Sequence, residues 1–181
     1  MNKKLIPFLL IILAVFQGCR GPEGPQGPEG VNIVGTTFDL TNVNFTTAND
    51  FRFGLRFADA DVTVLPSDAV LVYMHWNDET VDGQVLKAYR LLPQTAFLQG
   101  GGLLTYNYDR TDKDFSVFLD ATVNRSTLAD DWTKNITFRV VVVPADFAPA
   151  RTSGAVDYND YDSVIKHFGI DETKIRKIVA Q

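Results

Sequence analysis

Apolar and polar residues alternate in short runs over most of the chain, and the period is two. In Phe51-Arg52-Phe53-Gly54-Leu55-Arg56-Phe57 the four apolar residues fall on one face, while Arg52, Gly54 and Arg56 fall on the other. That is the signature of a strand with one face in a core and one in water. Similar runs rich in Val, Phe, Tyr, Leu and Thr recur at Thr36 to Leu40, Ala69 to Trp76, Val85 to Leu91, Leu103 to Tyr108, Phe115 to Thr122 and Ile136 to Val143. Phe115 to Leu119 alternates less cleanly, which predicts a strand covered on both sides. Val140 to Val143 is apolar throughout and stops at Pro144, as expected of a central strand. Pro66-Ser67-Asp68, Asn77-Asp78-Glu79, Asp82-Gly83, Gly100-Gly101-Gly102 and Thr111-Asp112-Lys113 read as the turns between them. Seven strands joined by short turns predict an all-β antiparallel sandwich, Ig-like or jelly-roll-like, with a partly open barrel as the nearest alternative.

The period changes near the C-terminus. Tyr158, Tyr161, Val164, Ile165 and Phe168 follow helical spacing, with Asp157 in position to cap the first turn and Gly169 to end the helix. A second short helix is expected from Asp171 to about Val179, with Ile170 stapled onto Ile175. Both are expected to close one end or edge of the sandwich. Residues 31–181 thus read as one domain, close to the commonest size for a single core.

The first thirty residues follow neither period. Lys3 and Lys4 precede an apolar stretch from Leu5 to Phe16, about 18 Å of helix against a hydrocarbon core of about 30 Å. The stretch is too short to span and has the layout of a signal peptide over residues 1–18. It ends at Cys19, the single cysteine among 181 residues. A lone thiol on an exported chain is anomalous unless it is modified. Residues 21–30 then place glycine at every third position, with proline after each of the first three. This collagen-like spacing offers two readings. One is a triple helix that trimerises the chain. The other is an extended stalk over residues 19–30 reaching about 34 Å at about 3.1 Å per residue. Three triplets are too few for a stable triple helix, so the expectation is a monomer on a spacer, with a trimer as the alternative.

Phe16-Gln17-Gly18-Cys19 resembles a bacterial lipobox, with Phe where Leu is usual. The resemblance implies diacylglycerol on Cys19, cleavage before it and acylation of the new amino terminus, so that the partner is membrane lipid. In such lipoproteins an Asp after the cysteine retains the protein at the inner membrane. Arg20 stands there, which implies the outer membrane. Together with the segment from Trp76 to Thr95 and the Val140 to Pro144 strand with its acidic, aromatic tail, residues Phe16 to Gly35 make the chain similar to small Bacteroidota envelope lipoproteins that carry a collagen-like stub. That resemblance implies location and architecture and no specific chemistry.

Charge narrows the partners further. Loss of the leader removes Lys3 and Lys4 and no acid, so the net charge of −5 becomes about −7, and no basic stripe remains for nucleic acid. Candidate chemistry is sparse. Asp157 to Asp162 has calcium-loop spacing, but an EF-hand would want Gly at Asp162 and Glu at Phe168. Helix capping accounts for those carboxylates. His75 and His167 lie on different elements and have no evident partners for a triad or a zinc site. No metal, cofactor or catalytic set is expected. Tyr73, Trp76, Tyr89 and Trp132 could form a glycan-stacking platform on a sandwich face, and Ser163 in Asp162-Ser163-Val164 matches a short O-glycosylation motif. The expected function is a lipoprotein displaying a β-sandwich for structural or binding work without catalysis, its partner a glycan or another envelope protein. The alternatives are a glycan-binding module that assists surface polysaccharide capture and a trimeric collagen-like surface protein.

Overall fold

Alternation becomes sheet throughout the described part of the chain, residues 36–144 and 156–180 of a computed structural model. The leader, Cys19 and the Gly-Pro run lie outside the described residues. The described residues form nine strands: β1 (Thr36–Val43), β2 (Arg52–Arg56), β3 (Ala69–Val81), β4 (Gln84–Leu91), β5 (Gln94–Phe97), β6 (Leu103–Arg110), β7 (Asp114–Ala121), β8 (Ile136–Val143) and β9 (Arg176–Val179). Two short helices accompany them, α1 (Asp130–Thr133) and α2 (Tyr161–Phe168). One sheet has five strands in the order β4-β3-β8-β1-β9, and the other has four in the order β2-β7-β6-β5. All pairs are antiparallel except β1 with β9. The fold is an all-β sandwich with short C-terminal helical elements.

The inner faces meet through aromatic and aliphatic side chains. Phe38 of β1, Phe115 of β7 and Phe57 form a chain of rings, with centroids 6.1 Å apart for the first pair and 5.6 Å for the second. Phe45 bridges Tyr106 of β6 and Phe138 of β8 in the same way. Leu40, Val72, Leu104, Val117, Leu119 and Val140 complete this core and are buried. On β7 the inner residues Phe115, Val117 and Leu119 are buried, whereas Ser116 and Phe118 are only partly covered. This strand therefore has one core face and one outer face, not the two covered faces expected from its sequence. The outer Phe118 ring is capped by the Arg52 guanidinium, 4.1 Å from its centroid.

β8 is central, and every residue but Thr137 is buried. The reason is a second apolar layer. Phe138, Val140 and Val142 face the sandwich core, whereas Val141 and Val143 join Tyr73, Tyr161, Val164, Phe168 and Ile170 in a separate cluster beneath α2. The helix buries positions i, i+3 and i+7 and starts at Asp160, whose side chain accepts from the Asp162 amide. It stops at Gly169, which takes φ +61°.

Four sequence expectations are corrected. The helix begins three residues later than its spacing suggested, with Asp160 rather than Asp157 as its cap, and Tyr158 remains outside it. It lies over the outer face of the five-stranded sheet, reaching edge strand β4 through Tyr161 and Tyr89, and closes no end. The second helix is a single 3₁₀ turn, Glu172–Lys174, followed by β9, because Ile178 and its neighbours pair with β1. Asn77-Asp78-Glu79 is not a turn but the outer half of β3, which runs with β4 as a two-stranded ribbon to the Asp82-Gly83 turn. β8 pairs only with Ala69 to Met74 of β3, so the ribbon continues past the edge of β8 with Val81, Val85 and Leu86 exposed.

One charged residue interrupts the apolar run of β8. Arg139 sits directly opposite Asp39 of β1 and donates to both of its oxygens, Nε to Oδ1 at 2.6 Å and a terminal nitrogen to Oδ2 at 3.0 Å. Its other terminal nitrogen reaches the Tyr161 hydroxyl and Glu172 Oε1, the latter at 2.7 Å. Truncating one partner of such a buried pair leaves the other charge uncompensated, at a cost of about 3–5 kcal/mol. Arg139→Ala is expected to lower unfolding free energy by that amount in urea titration. Arg139→Met combined with Asp39→Leu should recover most of the loss, because apolar residues of similar volume need no ionic partner.

Candidate binding site

The four aromatic residues singled out in the sequence do not share a surface. Tyr73 faces α2 on the outer side of the five-stranded sheet, where it is fully buried. Its hydroxyl donates to the Tyr158 carbonyl at 2.7 Å, and its ring meets that of Tyr161 edge-on at 5.3 Å. Tyr89, on neighbouring β4, lies 4.9 Å from the Tyr161 ring and beneath the Arg139 guanidinium at 4.4 Å. Burial raises the hydroxyl pKa of Tyr73, Tyr89 and Tyr161, so all three remain neutral phenols. These are packing residues around the Arg139 pair.

Trp76 follows a register shift in β3 and turns to the opposite side, against the sandwich core, with the Arg90 guanidinium 4.5 Å above its ring. Trp132 belongs to α1, at one end of the sandwich. A platform built from Tyr73, Trp76, Tyr89 and Trp132 is therefore corrected: two rings lie under α2, one caps the core beside β4, and the fourth stands alone among them at the loop end.

Ser163 occupies the first turn of α2, half-buried, and donates its hydroxyl to the Asp160 carboxylate. It has a capping role in the helix. His75 Nε2 pairs with Asp78 Oδ1 at 2.8 Å, and its ring lies against Tyr89. His167 lies edge-on to Phe168 on α2. Among the described residues no grouping of three or more His, Cys, Asp or Glu side chains is placed to hold a metal ion.

The end of the sandwich that carries Trp132 has a cleft of about 650 Å³, lined from two directions. One wall is the end of edge strand β5 and its turn, with Phe97, Leu98, Gln99 and Gly101. The other is the connection from β7 to β8, with Val123, Thr127, Leu128, Ala129, Asp131 and Trp132. Local hydrogen bonds fix both walls. The Leu98 and Gly101 amides donate across the turn, to Gly102 at 3.0 Å and to Leu98 at 3.1 Å. Asn124 caps the 3₁₀ turn Arg125–Thr127 through the Ser126 amide. Below them, the Tyr106 hydroxyl donates to the Trp132 carbonyl at 2.6 Å and ties α1 to β6.

Gly102 brings the two walls together. It adopts φ +99°, and a Cβ placed there would lie 2.6 Å from Val123 Cγ1. Phe97, by contrast, is 85% exposed. Sequence reading passed over both, since Phe97 looks like any strand residue and the three glycines look like an ordinary hairpin turn. The available signal was an aromatic residue three positions before a glycine triplet.

Family models, curated proteins and solved structures give no match to this chain. Among the described residues no helix is long and apolar enough to cross a membrane.

Two expectations follow from these contacts. Gly102→Ala should cost about 2–5 kcal/mol in urea unfolding, about 1–2 from its torsion and about 1–3 from the Val123 collision. Gly83→Ala has open space around it and only its positive φ to accommodate, about 1–2 kcal/mol. Equal losses at the two sites would contradict the tight approach at Gly102. Hydrogen bonds from Ser163 and then from backbone amides hold the Asp160 carboxyl below its ordinary pKa. A depressed folded-state value stabilises above the unfolded pKa, and the contribution fades as pH falls through the folded one. Asp160→Ala should therefore lower the thermal midpoint at pH 7, and the difference from the native chain should shrink below about pH 4.

Proposed function

We propose that the protein is a cell-envelope lipoprotein that displays its β-sandwich on a short stalk and acts there by binding rather than by catalysis. The observation that carries this reading is the position of Cys19, between an apolar leader too short to span a bilayer and a Gly-Pro run. One acyl chain would bind a membrane reversibly, and two or more would hold the protein in place. The stalk then sets the domain about 34 Å from the lipid surface if fully extended. In this reading the chain is a monomer and the glycine triplets are a spacer.

A binding role is supported by the described residues themselves. His75 is committed to Asp78 and has no nucleophile hydrogen-bonded to it. The buried charges serve the fold, through Arg139 and Asp39. Solvent-facing apolar groups remain at the cleft beside Phe97 and on the β3–β4 ribbon. Arg20 after the acylated cysteine favours the outer membrane.

Replacement of Cys19 by Ser tests the anchor. The native chain should incorporate radiolabelled palmitate and sediment with membranes, released only by detergent, and the variant should take up no label and keep its leader. Label on the Cys19→Ser chain, or none on the native chain, would refute the proposal.

A further inference from the structure

Three residues that line the cleft at the end of the sandwich carry polar side-chain groups without a protein partner, and two of them, Gln99 and Asp131, are exposed. The Gln99 amide, the Asp131 carboxylate and the Trp132 indole N–H bond to no described residue. Between them lie Leu98, Val123 and Leu128, and the Phe97 ring stands almost fully in solvent on one wall. A strand of the same sheet normally turns a polar residue outward at such a position, as β5 itself does with Thr95. Phe97 gives the fold little, because its ring is hardly buried. Its surroundings therefore bear on what it meets.

We infer that this cleft binds a neutral oligosaccharide, with the Phe97 ring stacking on a pyranose face and Gln99, Asp131 and Trp132 bonding to hydroxyl groups. The chemistry selects this class by elimination. No Lys, Arg or His lines the cleft, and Asp131 gives it negative charge, so phosphate, sulfate and uronate ligands would meet repulsion without a counter-ion. A fatty chain offers no hydrogen-bonding group to the amide, the carboxylate or the indole N–H. A sugar ring presents an apolar face of C–H groups and a rim of hydroxyls that both donate and accept. It matches an exposed aromatic ring beside two donors and an anionic acceptor. The cleft volume lies within the range of about 300–1,000 Å³ found for small-molecule sites. Its walls are set by the Gly102 approach and by the Tyr106 to Trp132 hydrogen bond, which favours a preformed site over one assembled on binding.

The inference rests on the reading of the domain as a binding module and is independent of the lipid anchor. Its test uses the full chain carrying Cys19→Ser, so that the protein bears no acyl chain. Soluble cello-, xylo-, manno- and malto-hexaose are titrated by calorimetry, with an oligogalacturonate and decanoate as the charged and apolar probes. At least one neutral hexaose should bind saturably with one site per chain, and the two anionic probes should not. Phe97→Ala should weaken binding at least tenfold while leaving the thermal midpoint unchanged, since the ring contributes little packing. Asp131→Asn should weaken it several-fold, and Trp76→Phe, remote from the cleft, should leave it unaltered. Absence of binding to all four hexaoses at millimolar concentration would overturn the inference. So would binding that survives Phe97→Ala, or tighter binding of decanoate or the galacturonate. None of these results would bear on membrane attachment, which the palmitate experiment reads separately.

Discussion

The Arg139–Asp39 ion pair is the interaction around which the five-stranded sheet is organised. It joins adjacent strands β8 and β1 across one rung of the ladder, and its remaining donors hold α2 through Tyr161 and the 3₁₀ turn through Glu172. A guanidinium at this depth must be paired on every side. Its desolvation is offset by the fork-to-fork contact with Asp39 and by the Tyr161 hydroxyl, which together keep Arg139 protonated. Tyr89 and Tyr161 cover it with their rings. Replacing these partners with water would require lifting α2 off the sheet, so one charged side chain fixes where the C-terminal segment docks.

Most of the strand content was legible because alternation survives in single residues. Phe51 to Phe57, Ile136 to Val143 and the runs between them each form the strand expected, and the apolar stretch at Val140 does occupy the centre of its sheet. The two strands that escaped notice, β5 and β9, have four residues each, too few to show a period. Asp171 to Val179 carried helix signals at its start, and Asp171 does cap a turn by accepting from the Thr173 amide. Parallel pairing with β1 then overrides local propensity after that single turn. The polar run Asn77-Asp78-Glu79 looked like a turn because both faces of the β3–β4 ribbon meet solvent, so no side chain there is required to be apolar.

The candidate site was less legible, and the cause is geometric. Aromatic residues announce themselves by type, but whether a ring packs inward or stands in solvent depends on the face of the strand and on what covers that face. Tyr73 and Tyr89 are drawn into the layer beneath α2, which the sequence had placed at an end of the sandwich. Trp132 is partly buried against the core, and its neighbours across the cleft come from a turn about thirty residues earlier. Nor did Arg139 stand out, although it is the lone charge in an eight-residue strand and faces the lone charge of Phe38-Asp39-Leu40. A single ionic residue inside each of two apolar runs is a pairing signal once both runs are taken as neighbours.

The chain separation of that ion pair has a consequence for the timing of folding. Asp39 and Arg139 are 100 residues apart, and the edge of the same sheet is completed by β9 within the last six residues of the chain. Contacts of such long range are slow to form because most of the chain must be ordered before they close. A nascent chain that holds only β1 to β7 lacks the central strand of its larger sheet and has no partner for Asp39. Its four-stranded sheet has all its strands, but the five-stranded sheet cannot close until β8 has been made. If the chain is exported as proposed, a larger sheet that closes this late suits passage through a membrane before folding.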